Sequence, residues 1–202
     1  MKQIALGVHM YANDYNGFIP YPAGLAACTV ILWEGSGGAN LYSGLGHLLA
    51  GWRANGRGRY IDGPANVRCP SLRSFSGSWT YNNNFNISTK FEVSGQRCFT
   101  NYAWNSSGWV YNPTPYAAGR LDRLDKSGYI LLCDAWYPGG GLGFWNHPGH
   151  NSGIPDGLNV VFYDGSARWV NDSAHRIWNT DPTYGNYMSY RDFWNWNRNN
   201  LP

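Results

Sequence analysis

The chain has 202 residues, enough for one domain that buries about 70 % of its unfolded surface around a single core. Only 13 % of the residues are charged, the net charge is +3 and no run of Lys or Arg could track a phosphate backbone, which argues against a nucleic-acid partner. Aromatic residues reach 17 %, with 11 Trp, and there are 26 Gly, a composition that speaks against a helix bundle and for a loop-rich fold held by large rings. No apolar run approaches the roughly 18 residues that cross a bilayer.

Residues 1–17, MKQIALGVHMYANDYNG, carry Ile4, Val8, Tyr11 and Tyr15 at i, i+4, i+7 and i+11, with Ala5 and Ala12 beside them. That spacing predicts a helix with one apolar stripe. Asn16-Gly17 supplies a left-handed residue to close it, and Pro20 keeps the following chain extended. No capping side chain precedes Met1, so the helix is expected to continue from an upstream portion. Residues 27–33, ACTVILW, read as a buried strand. Leu45, Leu48, Leu49 and Trp52 predict a short amphipathic helix over 41–52, with His47 off its stripe in solvent. Residues 71–97 are polar, with scattered rings, and read as an inserted loop. In 99–111 a hairpin is expected to turn at Ser106-Ser107-Gly108, and YILLCDAW, ending at Trp136, suits a central strand.

The run 158–170 has Asp164-Gly165 between two alternating stretches, the pattern of a two-residue turn. That turn pairs Val160 with Trp169 and Phe162 with Ala167, placing Val160, Phe162 and Trp169 on one dry face and Tyr163, Ser166 and Arg168 on the other. The dry face needs a cover, and Val8 and Tyr11 of the first helix are the expected one. Trp169→Ala would then cost about 3–5 kcal/mol, and loss of Arg168 little.

Several of these stretches carry a resemblance. MKQIALGVHMYANDYNGFIPYP, RYIDGPANVRCPS, NYAWN, HNSGIPDGLNVVFYDGSARWV and the tail RDFWNWNRNN are similar to segments of bacterial type II secretion pseudopilin-like proteins with a prepilin-type cleavage and methylation leader and a late H-x9-DG signature. His150, Asp164 and Gly165 occupy that signature, although thirteen residues rather than nine separate His150 from Asp164, as if IPDG had been inserted. The resemblance implies an α+β, pilin-like fold in a single domain, 1–202, with 1–17 as the end of the spine helix packed on an antiparallel sheet. It implies a non-enzymatic structural subunit, a periplasmic head domain whose native form is anchored in the inner membrane by a helix upstream of Met1. Its partners would be other pseudopilin subunits and components of the secretion system.

Four cysteines without a CxxC pair point to disulfides rather than zinc. Cys69 and Cys98 bracket the polar excursion and are expected to be joined, Cys133 reads as a small core residue, and Cys28 is either a partner for it or equally inert. No GxSxG elbow or HExxH helix is present. His147 and His150 flank a Pro-Gly loop near Asp156 and Asp164, a weak metal frame. Asp122 with Asp125, or Asp134 with Asp164, would serve glycoside hydrolysis only if they came within roughly 5–9 Å of each other. Some proteins of the resembling family hold Ca²⁺, and the oxygen donors available for it here are Asp156, Asp172 and Asp181, none in a DxDxDG register. The abundant Trp and Tyr also admit a carbohydrate-binding or adhesive surface domain.

Overall fold

The computed structural model describes residues 1–20, 28–69, 87–105, 120–121, 130–134, 136–137, 144–145 and 157–172. Within these the protein is α+β. Helix α1 (Lys2–Asp14) stands with an antiparallel sheet of six strands, β1 (Cys28–Glu34), β2 (Leu41–Tyr42), β3 (Arg97–Asn105), β4 (Ile130–Asp134), β7 (Gly157–Phe162) and β8 (Ala167–Asn171), in the order β2-β1-β3-β4-β7-β8. A second, two-stranded antiparallel sheet pairs β5 (Trp136–Tyr137) with β6 (Phe144–Trp145).

The stripe on α1 packs as its spacing predicts at the amino end: Ile4, Ala5, Val8 and Ala12 are buried and Tyr11 is partly so, but Tyr15 is exposed. Its end is a left-handed closure. Asn16 has φ 52, and Gly17 N–H reaches back to Ala12 O at 2.7 Å, the six-residue bond that satisfies an orphan carbonyl of the last turn. Ile19 is then buried, and the indole Nε1 of the buried Trp104 donates to Pro20 O at 2.9 Å.

The expected helix over 41–52 is broken up. Residues 41–42 join the sheet, Gly44–Leu49 tighten into a 3-10 helix, and Gly51 at φ 79 separates it from α2 (Trp52–Asn55). Close packing is the reason: a Cβ on Gly46 would collide with Leu32 O, so the segment presses its backbone against β1. Leu45, Leu48 and Leu49 are buried nonetheless. His47 is not simply solvated; it lies 5.9 Å from the rings of both Tyr11 and Tyr42.

The far end of the expected inserted loop is no excursion either. Ile87 and Phe91 are buried in the core, and the Glu92 carboxylate accepts the N–H groups of Gly51 at 2.6 Å and Arg53 at 2.7 Å, and the Tyr42 hydroxyl at 2.7 Å. A side chain remote in sequence thereby satisfies the open N–H groups at the start of α2. The expected turn at 106–108 lies outside the described residues.

The β7–β8 hairpin corrects the expected register by one residue. Val161 faces Ala167, Val160 faces Arg168 and Asn159 faces Trp169. Gly165 N–H bonds to Phe162 O at 3.0 Å and Phe162 N–H to Ser166 O at 2.9 Å, with Gly165 at φ 81. That is a three-residue loop, a type I turn followed by a left-handed glycine, rather than a two-residue one. The shift exchanges the faces of β7, which now sets Val161 rather than Val160 or Phe162 on the side of Ala167 and Trp169. Val161 and Tyr163 join the core that α1 shares, whereas Val160 and Phe162 point the other way and are buried there too, so β7 is covered on both sides while β8 is exposed except at Val170. Trp169 is 47 % exposed rather than buried on a dry face. Nor is Arg168 idle, for its guanidinium sits 4.6 Å from the centroid of the Phe162 ring.

Candidate functional site

The sheet brings its polar groups together where β3, β4 and β7 run side by side. Tyr102 pairs with Asp134 across β3 and β4, and the Asp134 carboxylate, almost fully buried, receives both the backbone N–H of Asn159 at 2.7 Å and its side-chain amide at 3.0 Å. Burial pushes the Tyr102 hydroxyl up, with the nearby Cys69 and Asp134 adding to it. Two residues earlier on β3, Thr100 Oγ1 donates to Val67 O at 2.6 Å and accepts Tyr102 N–H at 3.2 Å. These hydrogen bonds knit strands and the 64–69 segment together. Asp134 acts in them as an acceptor that fixes β7 against β4.

Asp164 is elsewhere. It sits in the exposed hairpin turn, three or more strand positions beyond Asn159 and hence roughly 10 Å or more from Asp134, so the two carboxylates do not form a hydrolytic pair. Its Oδ1 accepts Ser166 N–H at 2.8 Å, and hydrogen bonds from Ser166, side chain first, hold its carboxyl below the usual range. Asp164 and Gly165 are thus turn-forming residues. His9 joins α1 to the same turn: its Nε2 lies 3.0 Å from Tyr163 O, and because a carbonyl only accepts, that nitrogen carries the proton.

Of the three calcium candidates, Asp172 is buried just past the end of β8, and Asp156 and Asp181 lie outside the described residues, as do His147, His150, Asp122 and Asp125. Among the described residues no three His, Cys, Asp or Glu side chains are gathered as a metal site. Cys69, Cys98 and Cys133 are buried, and Cys69 and Cys98 are not joined to each other. The Cys98 Sγ lies 3.9 Å from Phe99 O, and burial pushes its thiol up to about 12. The side chain of Cys28 is not among those described.

The exposed rings have neighbours on them. Tyr15 stacks on Tyr11 with centroids 4.2 Å apart and carries Arg59 5.6 Å from its centroid. Phe18 carries Arg120 at 5.1 Å. Arg59 also donates to the Tyr15 hydroxyl at 3.1 Å, and the Tyr60 hydroxyl donates to Asp14 at 2.8 Å. These contacts clasp the last turn of α1 to the 57–62 segment. Nothing in the spacing of the arginines announces them, since each pair is remote in sequence.

Searches against protein families, curated proteins and solved structures return no match to this chain. The geometry and the sequence therefore carry the functional reading by themselves. No described helix is long and apolar enough to cross a membrane.

Proposed function

We propose that the chain is the head domain of a pilin-like structural subunit, similar to the type II secretion pseudopilins, that acts by assembling with copies of itself and with other envelope components rather than by catalysis. The observation that supports this most is the division of α1 into two apolar sides. Ile4, Ala5, Val8 and Ala12 serve the chain's own core, while Leu6 at 62 % and Met10 at 46 % exposure form an outward pair at i and i+4. Leu6 and Met10 add nothing to the burial of this core. A subunit packed against neighbours along its first helix would bury them. The fold around α1, a helix sharing its core with an antiparallel sheet, fits the same reading. So does the use of buried Asp134 as a strand-fixing acceptor. A carbohydrate-binding surface would use exposed rings, and among the described residues those of Tyr15 and Phe18 already carry arginines, while Trp169 is exposed.

The test is the mature protein in its own cell. Terminal sequencing and mass spectrometry of the protein from the membrane fraction should find an amino-terminal methyl group on an apolar segment of about 20 residues upstream of Met1. A mature chain that begins at Met1 and fractionates away from the envelope overturns the proposal.

A further inference from the structure

Asx-Gly steps are the places where a polypeptide attacks itself. The backbone nitrogen of the glycine, losing its proton, bonds to the side-chain carbonyl carbon of the preceding residue and closes a succinimide ring. Water leaves if that residue is Asp, ammonia if it is Asn. Water then opens the ring at either carbonyl, giving Asp or isoaspartate, so the Asp route is an isomerisation with no net change in composition. Two conditions govern it in a folded chain: the glycine nitrogen must be unengaged, and the side chain must be free to swing onto it.

Four such steps lie among the described residues, and the fold treats them differently. Gly17 N–H is held by Ala12 O at 2.7 Å, Gly56 N–H by Trp52 O at 2.7 Å and Gly165 N–H by Phe162 O at 3.0 Å. Each is the bond that closes a helix or a turn. At Asp62-Gly63 the glycine nitrogen makes no hydrogen bond among the described residues, its backbone is extended at φ −172, and the Asp62 side chain is 83 % exposed. Among the described residues the restraint on the carboxylate is an ion pair with Arg57 at 3.2 Å, itself in solvent and hence weak.

We propose that Asp62-Gly63 is the site at which the folded protein spontaneously isomerises to isoaspartate, the other three steps being protected by their glycine hydrogen bonds. The location gives the reaction a structural consequence. Gly58 N–H bonds to Asp62 O at 3.2 Å, and the preceding Tyr60 and Ile61 N–H groups bond to Leu48 O. Ile61 packs against Gly7 of α1. An extra main-chain methylene at 62 therefore enters the strap that holds the helix.

The experiment follows isoaspartate by peptide mapping, with carboxyl methylation by an isoaspartyl methyltransferase as a second readout. The protein is incubated folded and, in parallel, unfolded in urea. The folded-to-unfolded rate ratio should be near one at Asp62 and lower by roughly fivefold or more at Asn16, Asn55 and Asp164, as expected for sites that must first open a hydrogen bond. Gly63→Ala should suppress the reaction at 62 without unfolding the chain, because a Cβ there meets only Trp52 Nε1, at 3.7 Å. A ratio at Asp62 as low as at the other three, or isoaspartate that accumulates faster at Asp164 than at Asp62 in the folded protein, overturns the proposal.

Discussion

The chain reverses after α1 and again between β7 and β8, and both reversals hang on a residue in the left-handed region, Asn16 at φ 52 and Gly165 at φ 81. At the helix end the left-handed residue has one place to be. The orphan carbonyls of the last turn fix it immediately after the helical residues, and Gly17 N–H to Ala12 O completes the closure. Between two strands the same conformation fits two constructions, a two-residue loop or a type I turn with a bulging glycine, which differ by one residue of pairing. That single residue decides which face of β7 meets α1. A left-handed residue therefore marks where a chain turns in both settings, but only next to a helix does it also count the residues.

The largest effect that would break this comparison lies at two close-approach glycines. Gly157 faces Asn171 in the observed register, and a Cβ there would strike Val170 O, part of the partner strand's backbone, as well as the Trp169 ring at 2.8 Å. Gly157→Ala should cost about 3 kcal/mol by chemical denaturation, since a paired backbone cannot step aside. Gly7→Ala on α1 meets the γ2 methyl of Ile61 at 2.8 Å, a side-chain group rather than a paired backbone, and the helix gains propensity. Its net cost should be about 1 kcal/mol or less. Equal costs would mean that the two approaches are alike and that the register places Gly157 elsewhere.

Next in size are the residues on which the two hairpin registers disagree. With a two-residue turn Trp169 belongs to the dry face and its truncation costs about 3–5 kcal/mol. In the observed register Val161 fills the shared core and Trp169 is half in solvent. Val161→Ala should then cost about 2 kcal/mol and Trp169→Ala about 1 kcal/mol, an order that reverses the one the sequence implies. Arg168→Ala should cost about 0.5–1 kcal/mol through its contact with Phe162 rather than nothing. A Trp169→Ala loss well above that of Val161→Ala restores the two-residue turn.

What was legible in the sequence is what local periodicity controls. The buried stripe Ile4, Ala5, Val8 and Ala12, the closure at Asn16-Gly17, and the strands over Cys28–Glu34 and Ile130–Asp134 follow from spacing and composition alone. What escaped depends on partners far along the chain. The helix expected over 41–52 broke up because Gly46 abuts Leu32 O, and no window of sequence contains that neighbour. Glu92 looked like part of a polar loop until the start of α2 came within reach of its carboxylate. The candidate site divides the same way: Asp164 and Gly165 were readable as a turn, but the role of Asp134 required the pairing of β4 with β7.

The smallest effect is the pH dependence of the hairpin turn itself. The hydrogen bonds from Ser166 favour the ionised Asp164 carboxylate, so its folded-state value lies below the ordinary 3.8. An acid whose value is depressed by folding contributes stability above its unfolded value and loses it as pH falls through the lowered one. The contribution is screened, because Asp164 is exposed, and it should appear as a shallow fall in the melting temperature on the acid side of pH 3.8. Asp164→Asn keeps an oxygen to accept Ser166 N–H but has no proton to gain. That variant should melt close to the parent in strong acid and slightly below it at neutral pH, flattening this part of the profile. α1 supplies the control for the comparison, since its left-handed Asn16 does not ionise. An acid limb equally steep in Asp164→Asn and in the parent would mean that the turn is held by Gly165 and the backbone alone, as the helix end is held by Asn16 and Gly17.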